Sequence, residues 1–186
     1  MTVVYGVAVP TANLVLHLDG LNPRSYVSGG TNWLDLSQQK YVLALQASPT
    51  YSSANGSFAF NGSTQWAQLT SGVTTYGVSG GLTALAFINP TNAATTNAII
   101  AHQSTVNTND GWRFVTRTPG RLAFTLGGVA DYTSSTANLT SAVWQHVAIT
   151  TSGTTLTYFV NGVQYDSATI GAMGGTPITW QVGRDQ

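Results

Sequence analysis

Apolar positions fall in short runs along the chain, and within most runs they alternate with polar ones. A period of two marks a strand with one buried face, because successive side chains of a strand point to opposite sides. The pattern predicts strands over residues 14–18, 42–45, 57–60, 66–69, 82–89, 98–102, 112–116, 121–126, 144–150, 156–160, 163–170 and 178–182. No window of ten residues carries a helical i, i+3, i+4, i+7 stripe with helix-forming composition. The run 82-LTALAFI-88 is apolar on both faces apart from Thr83, which predicts a strand covered on both sides. Turn formers stand between the runs. Asn55-Gly56, Asn61-Gly62 and Asn161-Gly162 suit tight hairpin turns, since Asn and Gly accept a positive φ. Pro119-Gly120 predicts a hairpin between 112–116 and 121–126, and the Ser/Thr-rich segment 130–141 reads as a surface loop. Many short strands with turn signals predict an all-β sandwich or barrel. A length of 186 residues without a long linker predicts one domain, 1–186, with room for a sizeable core.

Composition changes the picture of the surface. Charged residues are 6% of the chain, against about 25% in ordinary soluble domains. The exterior is therefore built from Ser, Thr, Asn, Gln and Gly. Six basic and six acidic residues cancel, and Lys40 is the only lysine. That excludes the clustered cations of a nucleic-acid groove, so no nucleic-acid partner is expected. Near-zero charge also gives weak repulsion between copies. Without cysteine there are no disulfides and no thiolate metal sites. No apolar run approaches the roughly 20 residues of a membrane-spanning helix, so no membrane partner is expected. The opening residues MTVVYGVAVP lack the basic region of a secretory signal. A chain starting at Met1 is thus expected to be made in the cytoplasm without a signal peptide, where the sequons at Asn55, Asn61 and Asn138 carry no meaning.

Candidate chemistry is sparse. Glycoside hydrolysis needs two carboxyl groups flanking the scissile bond. The chain has no glutamate, and its aspartates (Asp19, Asp35, Asp110, Asp131, Asp166 and Asp185) form no i, i+2 pair on a strand. Three widely spaced histidines make no zinc motif. A non-enzyme is expected. His17 and His146 fall in predicted strands and read as partly buried, whereas His102 ends a strand and reads as exposed. Asp19, Asp35, Asp110 and Asp131 offer oxygens for Ca²⁺, yet such a site needs about six or more of them, and Asp caps turns well on its own. The expectation is no cofactor, with Ca²⁺ the less favoured alternative. Sugars are held by stacking on aromatic faces and by hydrogen bonds from Asn, Asp and Arg. The segment 107-NTNDGWR-113 offers such a rim in Asn107, Asn109, Asp110, Trp112 and Arg113, with Tyr132 beside it; Trp66 and Tyr76 are further aromatics near loops. A plainer reading stands next to it: Asn109-Asp110-Gly111 is a turn, and Trp112 is the buried start of a strand.

Four stretches carry a resemblance. They are 14-LVLHLDGLNPRSY-26 with 31-TNWLDLS-37, 51-YSSANGSFAFNGSTQW-66, 82-LTALAFINP-90 with 112-WRFVTRTPGRLAFTLGG-128, and the hairpin from Trp144-Gln-His-Val to Asn161-Gly162. Together they resemble the laminin-G-like, concanavalin A-like lectin/glucanase domains of bacterial and phage proteins, over most of the chain. The resemblance implies a jelly-roll sandwich of two antiparallel sheets. Its family spans lectins, adhesion modules, a few glycosidases and virion proteins, so fold alone does not set function. Two departures matter. Asn61 and Gln65 stand where relatives often carry Asp, which removes hard anionic oxygens from that turn. The family usually continues through a final strand of the Ile-Asp-Glu-Val-Arg type, which is absent after 178-ITWQVGRDQ-186; either the sequence is cut short there or a sheet edge is left open for pairing. The resemblance implies a phage virion component (a capsid decoration, head fibre or tail-fibre module), made in the host cytoplasm and packed against other virion proteins or copies of itself. A surface glycan is the implied ligand. The alternative is a carbohydrate-binding module of a bacterial surface or secreted protein.

Overall fold

The computed structural model describes residues 11–69, 81–103, 110–172 and 179–184. Among them are fourteen strands and no helix: β1 (Asn32–Leu34), β2 (Val42–Gln46), β3 (Thr50–Ser52), β4 (Ser57–Ala59), β5 (Trp66–Leu69), β6 (Leu82–Ile88), β7 (Asn97–Gln103), β8 (Gly111–Arg117), β9 (Arg121–Leu126), β10 (Ala130–Thr133), β11 (Gln145–Ser152), β12 (Thr155–Val160), β13 (Val163–Thr169) and β14 (Thr179–Val182). No helix among the described residues is long and apolar enough to cross a membrane.

An eight-stranded antiparallel sheet runs in the order β1-β2-β5-β14-β7-β8-β9-β10, and a four-stranded one in the order β13-β12-β11-β6. A small hairpin, β3-β4, stands apart. The alternation predicted from sequence sets the core. Leu43, Ala67, Phe114, Phe124 and Trp180 of the large sheet meet Val147, Ile149, Leu156 and Tyr158 of the small one in a single buried cluster. The Tyr158 hydroxyl donates to the Tyr132 carbonyl and so ties β12 to β10 across the two sheets. The arrangement is the expected all-β jelly-roll sandwich of antiparallel sheets.

Turn chemistry lands where the sequence placed it. Asn161 (φ 51°) and Gly162 (φ 78°) both take the left-handed region between β12 and β13, as a tight primed hairpin turn requires. Pro119-Gly120 closes the β8-β9 hairpin, where Arg117 faces Arg121.

Several expectations are corrected. Residues 14–18 join no strand ladder. They hang instead on the loop after β1: the His17 amide donates to Asp35 Oδ1 (2.8 Å), the Leu36 amide to the His17 carbonyl (2.8 Å), and Ser37 Oγ to the Val15 carbonyl (3.1 Å). Segment 130–141 begins with a strand, β10, which has no apolar alternation because it is a largely exposed edge. β6 is not covered on both sides. It is an edge strand that turns Leu82, Ala84, Ala86 and Ile88 inward, and Leu85 (59% exposed) and Phe87 (71% exposed) face outward. Phe87 lies edge-on to His146, its cross-strand partner on β11, with centroids 5.2 Å apart. His102, expected at the surface, is fully buried and stacks on Trp180 at 4.2 Å.

Candidate functional site

Strand geometry divides the predicted ligand rim. Trp112 and Arg113 are consecutive in β8, so they point to opposite faces of the sheet. Trp112 faces inward at 1% exposure, against Phe124 and edge-on to Trp180, and its ring is closed to any ligand. Tyr132 also faces inward, and its hydroxyl accepts the Gly171 amide at 2.8 Å. Arg113 alone of the three lies on the outer face, half-buried. Asp110 precedes it just outside β8, and Asn107, Asn109 and Tyr76 lie outside the described residues.

That outer face has a polar stripe which the linear sequence hides. Cross-strand register places Asn32, Ala44, Gln68, Gln181, Ala101, Arg113, Thr125 and Asp131 in one row across all eight strands. Two alanines keep its floor low, and every other member is polar. Three amides from β5, β14 and β7 form a ladder: Gln103 Nε2 donates to Gln181 Oε1 (3.0 Å), and Gln181 Nε2 to Gln68 Oε1 (3.3 Å). The Trp66 indole N–H donates to the same Gln68 oxygen (3.0 Å). Gln103 and Gln181 are buried, and Gln103 Oε1 has no hydrogen-bond partner among the described residues. The accessible end of the ladder comprises Trp66, Gln68 and, opposite Trp66 on β2, Gln46, all half-buried. Arg184 completes it, with its guanidinium carbon 4.0 Å from the Trp66 ring centroid. Gly183 positions that arginine. It sits at φ 81°, and a Cβ there would come within 2.7 Å of the Phe60 ring, so only glycine lets the chain turn onto Trp66 at this point.

Trp66 was visible in the sequence as an aromatic near a loop, but nothing ranked it above Trp112. The usable signal was the phase of the strand 112–116, which already puts Trp112 and Arg113 on different faces. The glutamine ladder has no linear signal, because its members come from strands distant in sequence.

Four of the aspartates already hold partners of their own. Asp35 accepts from the amides of His17, Ser37 and Tyr41 and from the Ser37 hydroxyl. Asp19 caps the Leu21 amide. Asp131 takes Arg117 (2.9 Å) and the Thr125 hydroxyl. Partial burial works against charge on Asp166, but hydrogen bonds from the Ser135 and Ser167 amides outweigh it and hold its carboxyl below the usual range. No group of three or more His, Asp or Glu able to hold a metal occurs among the described residues. At Asn61 and Gln65 the amides serve the backbone. Asn61 Oδ1 accepts the amides of Ser63, Thr64 and Gln65, and Gln65 Nε2 donates to the carbonyls of Ala47 and Ser48, 3.1 Å each. A carboxylate could not make that second pair of bonds.

A concavity of about 280 Å³ lies between Tyr26, Gly30, Ser48 and Tyr51. Both phenols there already donate, Tyr26 to the Gly30 carbonyl and Tyr51 to the Gly20 carbonyl.

The family model for the concanavalin A-like lectin/glucanases superfamily matches residues 60–186. A search of the curated proteins finds no match. Among solved structures, a mutant of HCR/D overlays with TM-score 0.62 at 14% identity, over 91% of this chain and 43% of that one. The binding domain of botulinum neurotoxin DC in complex with SialylT overlays with TM-score 0.56 at 12% identity, over 81% of this chain and 40% of that one. A β-glucanase of Bacillus licheniformis overlays more loosely, with TM-score 0.43 at 11% identity, over 85% of this chain and 75% of that one. The chain thus spans under half the length of the first two of these structures, and at these identities the overlays show the fold alone.

Proposed function

Because the chain belongs to the concanavalin A-like lectin/glucanases superfamily, we propose that it is a non-enzymatic structural and adhesion module of a phage virion that binds a surface glycan. On this reading residues 1–186 form one jelly-roll domain in a capsid decoration, head fibre or tail fibre, made in the host cytoplasm and packed against other virion proteins or copies of itself. The observation that carries the glycan reading is the Trp66–Gln68–Gln46–Arg184 group. It combines an aromatic face, two amides and a guanidinium on one half-buried patch of the outer sheet face. Those are the groups that recognise a hydroxyl-rich ring. The non-enzymatic reading is supported by the fate of the aspartates. Asp19, Asp35, Asp131 and Asp166 each hold a backbone amide, a hydroxyl or an arginine, and no glutamate is available to form an acid–base pair. The virion reading draws on the almost uncharged surface, which suits close packing in a shell.

Two measurements test this. On a glycan array the protein should bind, and Trp66→Ala should abolish the signal while Trp66→Phe keeps part of it. Mass spectrometry of purified particles should find the chain in the virion. Turnover of any bound polysaccharide, or array binding indifferent to Trp66→Ala, overturns the reading.

A further inference from the structure

The Trp66 ring is not bare, and this bears on which sugar it takes. A neutral pyranose stacks its C–H face directly on an aromatic ring. Here the guanidinium of Arg184 already lies over that ring at 4.0 Å. The ring's edge is fixed too, by the indole hydrogen bond to Gln68. Arg184 has no ion-pair partner among the described residues, unlike Arg117, which is held by Asp131. A neutral sugar therefore has to displace the cation to reach the ring face. A sugar bearing a carboxylate gains from leaving it in place, because the planar fork of Arg binds a carboxylate through two parallel hydrogen bonds. Its hydroxyls then fall to the amides of Gln46 and Gln68, which flank the ring on neighbouring strands.

Resting on the glycan reading above, we propose that the Trp66–Arg184 pair selects acidic sugars, in which a ring carboxylate engages Arg184 and ring hydroxyls engage Gln46 and Gln68. In a chain of net charge zero, this local cation supplies selectivity that the overall charge does not.

The test is an NMR titration of the ¹⁵N-labelled protein with methyl β-glucuronide, with its methyl ester and with methyl β-glucoside. The free acid should bind roughly tenfold more tightly than the other two, as one charge-assisted pair implies. That margin should shrink as salt rises, and Arg184→Gln should abolish it. Arg184→Lys, which keeps the charge but not the fork, should keep only part of the margin, and thermal melts check that both variants are folded. Equal binding of all three probes, unchanged in Arg184→Gln, overturns the inference and leaves the glycan reading intact. Displacement of the glucuronide by equimolar acetate also overturns it, since the site would then be a bare anion site. If neither these probes nor an array of larger glycans binds, the glycan reading itself fails.

Discussion

Acid should destabilise this protein through a buried histidine. His102 is fully buried, stacked at 4.2 Å on Trp180, with Nδ1 3.0 Å from the Thr179 carbonyl. A carbonyl only accepts, so Nδ1 carries the proton of a neutral ring. Burial pushes the imidazole down from its ordinary 6.5 to about 4, with the Thr179 contact pulling weakly the other way. The sign follows from which state binds the proton first. As pH falls below 6.5 the unfolded chain protonates while the folded ring stays neutral, so stability is lost between pH 6.5 and about 4. At 1.36 kcal/mol per pH unit, that gap comes to about 3 kcal/mol, a large part of the roughly 5–15 kcal/mol that holds a typical domain. Urea unfolding followed by tryptophan fluorescence at several pH values between 7 and 4 measures it. His102→Phe keeps the stacking ring but cannot titrate. It should be less stable at pH 7, having lost the bond to Thr179, and should lack this part of the pH slope. Subtracting the two curves removes all other titrations. Curves that run parallel, with stabilities falling equally on acidification, refute the argument.

Three further substitutions separate structure from surface. Asp35→Ala strands the amides of His17, Ser37 and Tyr41, and at about 1–3 kcal/mol for each orphaned buried group it should cost at least ~3 kcal/mol in urea unfolding; a loss no larger than that of an average surface change refutes the anchor role. Gln65→Glu replaces two donors to the Ala47 and Ser48 carbonyls by acceptors, so it should lower the melting temperature by the equivalent of about 1–2 kcal/mol. Added Ca²⁺ should not restore it, and a Ca²⁺-dependent rise would revive a metal site. Phe87→Ser removes a ring that is 71% exposed, so it should cost far less than the ~3–5 kcal/mol of a core aromatic; a core-sized loss in the melting temperature would mean that β6 is covered after all.

The fold was largely legible because its information is local. Alternation located β2, β5, β9 and β12 closely, and Asn161-Gly162 marked its hairpin. Three kinds of feature were not local. β10 is a strand by virtue of its neighbour, and its exposed polar residues carry no apolar rhythm. Residues 14–18 alternate like a strand but are held by Asp35, the Leu36 amide and the Ser37 hydroxyl in the loop after β1 instead of a ladder. β6 is apolar apart from Thr83, so its composition could not say that Leu85 and Phe87 are the ones left outside. The site suffered similarly. Aromatic and polar neighbours in sequence suggested a rim around Trp112, whereas recognition groups on a sheet are neighbours across strands. Gln68 and Gln181 are 113 positions apart and share a hydrogen bond.

The amide ladder also has a direction. An indole N–H can only donate, so Trp66 forces Gln68 to turn its oxygen toward it. Gln68 then obliges Gln181 to offer nitrogen, and Gln181 obliges Gln103 to do the same. The odd oxygen left over, Gln103 Oε1, is thereby exiled two strands away, about 10 Å, into the buried part of the face. Reversing any one amide means reversing all three and trading that stranded acceptor for a stranded donor. The row behaves like a compass needle with one pinned end, and the pin is the residue that faces the outside.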